Sequence, residues 1–317
     1  MSQGVHVLVA HASCAAPWCR DALGALALPK LSALLARLAP MGLDEGGPRM
    51  LSTPHERVLA RACGFWAGDG HAPRAAWDLR RQGEDPAGAA WGWITPCHWA
   101  VATDHVRMQP PESLALEEGD SRALLDAMAP YFEEDGLQLR YQEPLRWLAR
   151  GELLRGLACA SLGRVSGAVV DDWLPRGPEA RPLRRLQQEM QMLLYTHPVN
   201  EAREARGLLP VNSFWLSAAG ALPEAAAPAS PPIALDESLG PAAALGDEAA
   251  WQDAWRALDD GPIARLLDAL APDREVRLTL CGDSHAQTWA LPPPGAWARA
   301  TRLFRSAPTP AQVLASL

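Results

Sequence analysis

His197-Pro-Val-Asn-Glu-Ala-Arg-Glu-Ala-Arg-Gly-Leu-Leu-Pro-Val-Asn-Ser-Phe-Trp-Leu-Ser-Ala-Ala-Gly220 packs three pieces of structure into two dozen residues. An HPxN turn leads into a short Arg-bearing helix, a second Asn follows at 212, and Ser213-Phe-Trp-Leu-Ser217 reads as a strand. Asn200 and Arg203 lie three apart, so they share one helix face. An Arg guanidinium can fork onto a phosphate or carboxylate. His197, Asn200, Arg203 and Asn212 are therefore candidate ligand-binding residues. The competing assignment is structural. Asn200 would then cap the helix, Arg203 would pair with an acid such as Glu189, and Asn212 would satisfy loop backbone.

Upstream, Leu183 to Leu194 has helical periodicity and runs directly into His197. Leu137-Gln-Leu-Arg-Tyr141 alternates, and Arg146-Trp-Leu-Ala149 can pair with it as a hairpin. Trp91 to Val101 reads as a strand and Glu117 to Phe132 as a helix stopped near Asp135-Gly136. Thr53, Pro54 and Glu56 form an N-cap, a first helical residue and a capping-box partner. Residues 68–90, rich in Gly, Pro and Arg, read as an irregular excursion. At the start, Val5-His-Val-Leu-Val-Ala10 is a buried parallel strand, and Pro29 stands early in a helix that reaches Leu38. Downstream, residues 221–246 are dense in Ala, Pro and Gly and read as a flexible loop. Helices follow at Glu248–Leu258 and Pro262–Leu270, then a last strong strand at Glu275–Cys281. Alternating strands and helices imply an α/β sandwich with a largely parallel central sheet. Residues 95–150 look like a small β-rich side layer or insertion within one 1–317 domain.

Composition narrows the function classes. The chain has 317 residues, 48% of them hydrophobic, enough for a sizeable core. Its formal net charge of -8 argues against a nucleic-acid partner, which would call for a basic patch. No apolar stretch of about eighteen residues is present, so no membrane span is expected. Six scattered cysteines without a CxxC pair, and no basic leader before Val5, fit a reducing cytoplasm. The thirteen tryptophans, Trp297 included, read as core and groove packing. His98, Asp104 and His105 make only a weak metal signature, and neither GxGxxG nor a GKS/T loop appears.

The 197–220 stretch resembles the archaeal-type, cofactor-independent phosphoglycerate mutases of the alkaline phosphatase superfamily, whose segment reads roughly HPxNxxRxxxGxxPxNxxWLxGxG. His197, Pro198, Asn200, Arg203, Gly207, Pro210, Asn212, Trp215, Leu216 and Gly220 match, and Ala218 replaces a glycine. Leu51-Ser-Thr-Pro-His-Glu-Arg57, Thr95-Pro-Cys-His98, Asp171-Asp-Trp173, Arg185-Leu-Gln-Gln-Glu-Met-Gln-Met192 and Leu278-Thr-Leu-Cys-Gly282 resemble a bacterial branch known as RpfE-type regulatory proteins. The resemblance implies an alkaline-phosphatase-like sandwich, with the 197–220 segment beside a substrate cleft.

It also implies two divalent metals and a Ser or Thr nucleophile, because a transferring phosphoryl group must have its charge neutralised. Here this chain departs from the pattern. His11 stands where the first strand should deliver a metal-binding Asp. Leu28 stands at the nucleophile position, with Ser32 a turn further on. Asp283 matches the Gly-Asp-His signature, but Ser284 takes the His position and His285 is shifted by one. The Asp-x-x-x-His-Asp segment has no counterpart in residues 221–275, where the polar cluster is Asp259-Asp260-Gly261. His11, Asp283 and His285 remain candidate ligands for one divalent metal, zinc or manganese. The expectation is a catalytically degenerate phosphoglycerate mutase-like protein with a regulatory role, binding a small phosphorylated or anionic ligand or a protein partner. The alternative is a metal-dependent phosphoglycerate mutase or phosphatase with an altered site.

Overall fold

A computed structural model describes residues 4–271, 274–292 and 308–317. The strands in chain order are β1 (Val5–Val9), β2 (Ala39–Asp44), β3 (Ala90–Cys97), β4 (Trp99–Val101), β5 (Val106–Met108), β6 (Gln138–Glu143), β7 (Arg146–Arg150), β8 (Ser213–Ala221), β9 (Ile233–Asp236), β10 (Val276–Cys281) and β11 (Ala286–Ala290). The helices are α1 (Pro17–Ala25), α2 (Pro29–Leu35), α3 (Pro54–Ala62), α4 (Arg74–Arg81), α5 (Glu118–Glu134), α6 (Leu162–Val165), α7 (Arg181–Tyr195), α8 (Pro198–Ala205), α9 (Gly240–Leu245), α10 (Glu248–Leu258), α11 (Ala264–Asp268) and α12 (Pro310–Ala315). Where one domain was expected, the chain divides into two compact units. The first holds Met1–Pro48, Arg57–Cys63 and Ala227–Leu317; the second holds Arg49–Glu56 and Gly64–Ala226.

The first unit is built on a mixed sheet ordered β2-β11-β10-β1-β9. β1 pairs in parallel with both β10 and β9, but β10–β11 and β11–β2 are antiparallel. The expected largely parallel sheet is thus parallel on one side only, because the short turn after β10 sends the chain straight back as a hairpin. Val7, Val9, Leu278, Leu280 and Trp289 bury one face against Leu31 and Leu34 of α2 and Trp251 and Trp255 of α10. On β1 the alternate residues His6 and Leu8 are buried too, which is why this strand reads as a nearly continuous apolar run. His6 Nε2 lies 2.8 Å from Thr279 Oγ1, which lies 2.8 Å from Thr288 Oγ1. This polar ladder crosses three strands.

The second unit carries an antiparallel sheet, β6-β7-β3-β8. Trp147, Phe214 and Leu216 pack with Leu124 and Met128 of α5 and Leu186 and Met190 of α7. On the other face α4 sets Ala75 and Leu79 against Leu148. The Trp147 indole N–H donates to Ser121 Oγ, which donates to the Pro144 carbonyl, so the buried ring leaves no unmet donor. The β-rich region is larger than the expected 95–150 layer, since it recruits β3 and β8 from either side.

Two other expectations need correction. Residues 68–90 contain α4, whose Ala75, Ala76, Trp77 and Leu79 are buried. Flanking Gly and Pro residues mask its short apolar face. Residues 221–246 contain β9 and α9. β9 is four residues long and is fixed by pairing with β1, a partner more than two hundred positions away. Four of the tryptophans, Trp147, Trp215, Trp251 and Trp255, are among the largest fully buried side chains; Trp297 lies outside the described residues.

Candidate functional site

The two sets of candidate residues fall in different units, and each has its own geometry. In the second unit, His197 is the N-cap of α8, and its Nδ1 accepts from the Val199 N–H at 3.3 Å. Asn200 is 4% exposed. Its Nδ2 donates to the carbonyls of Leu194 (2.8 Å) and Val211 (2.7 Å), and its Oδ1 accepts from the Val211 N–H (2.9 Å). One side chain thereby ties the end of α7 to the loop that leads into β8.

Arg203 is fully buried. Its Nε donates to the Leu209 carbonyl at 3.0 Å, its Nη2 to the Leu114 carbonyl, and its Nη1 to Asp120 Oδ2 at 3.3 Å. Arg206 joins the same carboxylate at 3.0 Å. The acid expected for Arg203 was Glu189, but that residue faces Arg185 at 3.5 Å. Asn212 behaves like an added strand residue: its Oδ1 accepts from the Trp99 N–H at 2.7 Å and its Nδ2 donates to the Trp99 carbonyl at 3.0 Å. His98 Nδ1 lies 2.8 Å from the Pro210 carbonyl. The sequence did bring these four residues into one neighbourhood. Their polar atoms, however, face the chain's own backbone and Asp120, which puts Asn200 and Arg203 out of reach of a dissolved anion in this conformation.

In the first unit, His11 follows β1 in a left-handed conformation (φ 54°), one that His tolerates better than most residues. Its carbonyl accepts from the Trp251 indole N–H at 3.3 Å. Its ring lies against Gly240 so closely that a Cβ there would meet His11 Cδ2 at 3.2 Å. Asp283 and His285 both lie in the turn between β10 and β11. The exposed Asp283 accepts the Ala15 N–H on Oδ2 at 2.7 Å. His285 accepts from the Gly282 N–H at 2.9 Å through its carbonyl and donates to the Leu317 carbonyl at 3.2 Å. Among the described residues no group of three or more His, Cys, Asp or Glu could hold a metal ion. His11, Asp283 and His285 therefore do not assemble into the expected centre. The donor set does not fit a pair of divalent cations, since one carboxylate and two imidazoles supply too little negative charge.

The start of α2 accounts for the acids that had no assigned partner. Leu28, at the N-cap position, is 4% exposed and packs into the core. The freed amides of α2 are met by Asp259 from a π-helical turn: Oδ1 accepts from the Leu31 N–H at 2.7 Å and Oδ2 from the Lys30 N–H at 3.1 Å. The Lys30 ammonium pairs with Asp260. An internal carboxylate thus seals this helix end. Sequence reasoning saw Asp259-Asp260 as a polar cluster. The unfilled cap position at Leu28 was the available signal that a remote acid was needed.

No protein-family model matches the chain. A 72-residue segment is 35% identical to a 2,3-bisphosphoglycerate-independent phosphoglycerate mutase of Methanothrix thermoacetophila, covering 23% of this chain and 18% of that relative. Among solved structures, the chain is similar to a cofactor-independent phosphoglycerate mutase from Thermoplasma acidophilum, with 14% identity, 91% of this chain and 89% of that one covered, and a TM-score of 0.34. It is also similar to the PH0037 protein from Pyrococcus horikoshii, with 10% identity, 92% and 88% covered, and a TM-score of 0.39. Among the described residues no helix is long and apolar enough to cross a membrane.

Proposed function

We propose that this chain is a catalytically degenerate phosphoglycerate mutase-like protein, with an alkaline-phosphatase-like ancestry, that acts by binding rather than by turnover. The observation that carries the reading is the start of α2. Where the resemblance places a nucleophilic hydroxyl, Leu28 points into the core, and the amides behind it are capped by Asp259. A phosphoryl group approaching that point would meet a buried leucine and a carboxylate, the reverse of what its charge requires. The role is regulatory, as the RpfE-type resemblance implies, and the ligand is a small phosphorylated anion or a protein partner. The segment from His197 to Asn212 then serves as scaffold, fixing the loop before β8.

The test is direct. Purified protein is given manganese or zinc and assayed for phosphoglycerate interconversion and for hydrolysis of a generic phosphate ester. No metal-dependent turnover is expected. Turnover that a chelator abolishes and that His11→Ala or Asp283→Ala also destroys would establish the altered metalloenzyme instead. A thermal-shift series with phosphoglycerates and related phosphorylated metabolites separates small-ligand binding from a role confined to protein partners.

A further inference from the structure

Cys14 and Cys19 take no part in the function proposed above. Cys14 lies in the loop that follows β1, and Cys19 lies in the first turn of α1. The turn through Ala15 and Ala16 folds one onto the other. The backbone N–H of Cys14 donates to Cys19 Sγ at 3.2 Å, and the two thiols are hydrogen-bonded to each other. All six cysteines are free, and Cys14 is the one that is not buried. Burial pushes the Cys97 and Cys281 thiols up strongly and Cys159 up to about 12, which leaves them protonated and unreactive.

The pair behaves differently from those three. The hydrogen bond from Cys14 holds the Cys19 thiol below its usual value against an opposing effect of burial, while donating that bond, together with burial, pushes Cys14 up. A thiol in the first turn of a helix is further favoured as thiolate by the N–H groups there. One sulfur is thus reachable from solvent, and a second, fully covered, is held against it.

We propose that Cys14 and Cys19 form a reversible disulfide, with a low-molecular-weight disulfide such as glutathione disulfide as the oxidant. Cys14 attacks one sulfur of the incoming disulfide as its proton passes to Cys19. That S–S bond breaks and the first glutathione leaves as thiolate, which takes up a proton from Cys19. Cys19 sulfur then attacks Cys14 sulfur in the mixed disulfide and expels the second glutathione, which is protonated by solvent. The protein dithiol is oxidised by two electrons, one glutathione disulfide is reduced, and two glutathiones are released. Geometrically the step asks for side-chain rotation and contraction of the contact to an S–S bond of about 2.05 Å. Oxidation locks the loop after β1, which also carries His11, onto α1. A reversible cytoplasmic disulfide of this kind is a redox-responsive one.

The two cysteines lie on one tryptic peptide, residues 1–20, which makes the test simple. The full-length protein is equilibrated in glutathione buffers of rising oxidised fraction, acid-quenched, alkylated and digested. The expected result is loss of both alkylation marks from that peptide together, with a mass lower by two hydrogens, reversed by dithiothreitol. Cys19→Ser should stop at one glutathione on Cys14, and Cys14→Ser should leave residue 19 unmodified. Independent alkylation of both thiols across the whole series would overturn the proposal. So would a wild-type protein that accumulates only the mixed disulfide. The wild-type measurement alone decides the matter should either serine variant fail to fold.

Discussion

The stretch from His197 to Gly220 and the strand ends around His11 and Asp283 teach opposite lessons. The first keeps nearly every residue of the pattern it resembles, yet its side chains are engaged by the chain's own backbone. Asn200 holds Leu194 and Val211, and Arg203 holds Leu114, Leu209 and Asp120. The second departs from its pattern at His11, Leu28 and Ser284, and its side chains are half-buried or exposed, apart from Leu28. An intact motif is therefore no measure of an available site. The polar side chains of the His197 segment serve the fold. Buried polar groups must be satisfied whatever the protein does, and a catalytic carboxylate answers only to function.

Breaking the comparison starts with Arg203. Arg203→Ala should cost about 3 kcal/mol of stability, because it strips a buried cation from Asp120 and leaves the carbonyls of buried Leu114 and half-buried Leu209 without its donors. Arg203→Lys should recover little, since one ammonium on a flexible stem cannot reach three acceptors. The shift of the urea midpoint measures both. A loss below about 0.5 kcal/mol, the range of ordinary surface substitutions, would show that the arginine is not a structural fastener.

A pH titration probes the first unit. Burial, with a smaller contribution from Arg277, lowers His6 to about 4. Between the unfolded value near 6.5 and about 4, the unfolded chain binds a proton that the folded unit refuses. Stability from this group is present in full above that window and falls as pH drops through it, by up to about 3 kcal/mol. His6→Gln keeps a polar partner for Thr279 and does not titrate. The wild-type stability should therefore fall relative to the variant by that amount between pH 7 and pH 4. Parallel curves would mean that the folded and unfolded chains bind this proton equally, so that burial does not hold His6 below its ordinary value.

Asn200→Ala comes next, at about 2 kcal/mol, for the Val211 N–H and carbonyl it leaves without side-chain partners and the lost tie to the Leu194 carbonyl. Its effect should centre on residues 206–212, visible as faster amide exchange at Val211, whose N–H Asn200 accepts.

Much of this fold is legible along the chain because it is local. The α10 helix runs from Glu248 to Leu258 as the periodicity predicts. The Thr53 N–H donates to Glu56 Oε2 at 3.0 Å as a capping box requires. The β6–β7 hairpin forms where alternation places it. What the chain hides is long-range. α4 is masked by its Gly and Pro flanks, and β9 exists because β1 is beside it. Asp120 meets Arg203 across 83 positions, and Asp259 meets the α2 amides across more than 220. No local pattern announces which acid will serve which donor. Of the candidate site, the neighbourhood of His197, Asn200, Arg203 and Asn212 was readable. The direction in which those side chains point was not, because it depends on where Leu114, Trp99 and Val211 arrive.

The smallest expected effect sharpens the comparison most. Asp259 occupies the helix end where the resemblance expects phosphoryl chemistry, so it belongs to the departed pattern in sequence and to the structural one in geometry. If it acts as the missing cap of α2, Asp259→Ala should cost about 1 kcal/mol, in the range of lost N-caps. The amides of Lys30 and Leu31 should then exchange faster, while those of β10 are unchanged. Asp259→Asn keeps an acceptor oxygen in place and should recover part of that loss, since capping needs a lone pair more than a charge. Equal losses in both variants would assign the stabilisation to the negative charge of Asp259 acting on the helix end, together with its neighbour Asp260 on Lys30. Leu28 would then owe its burial to packing alone.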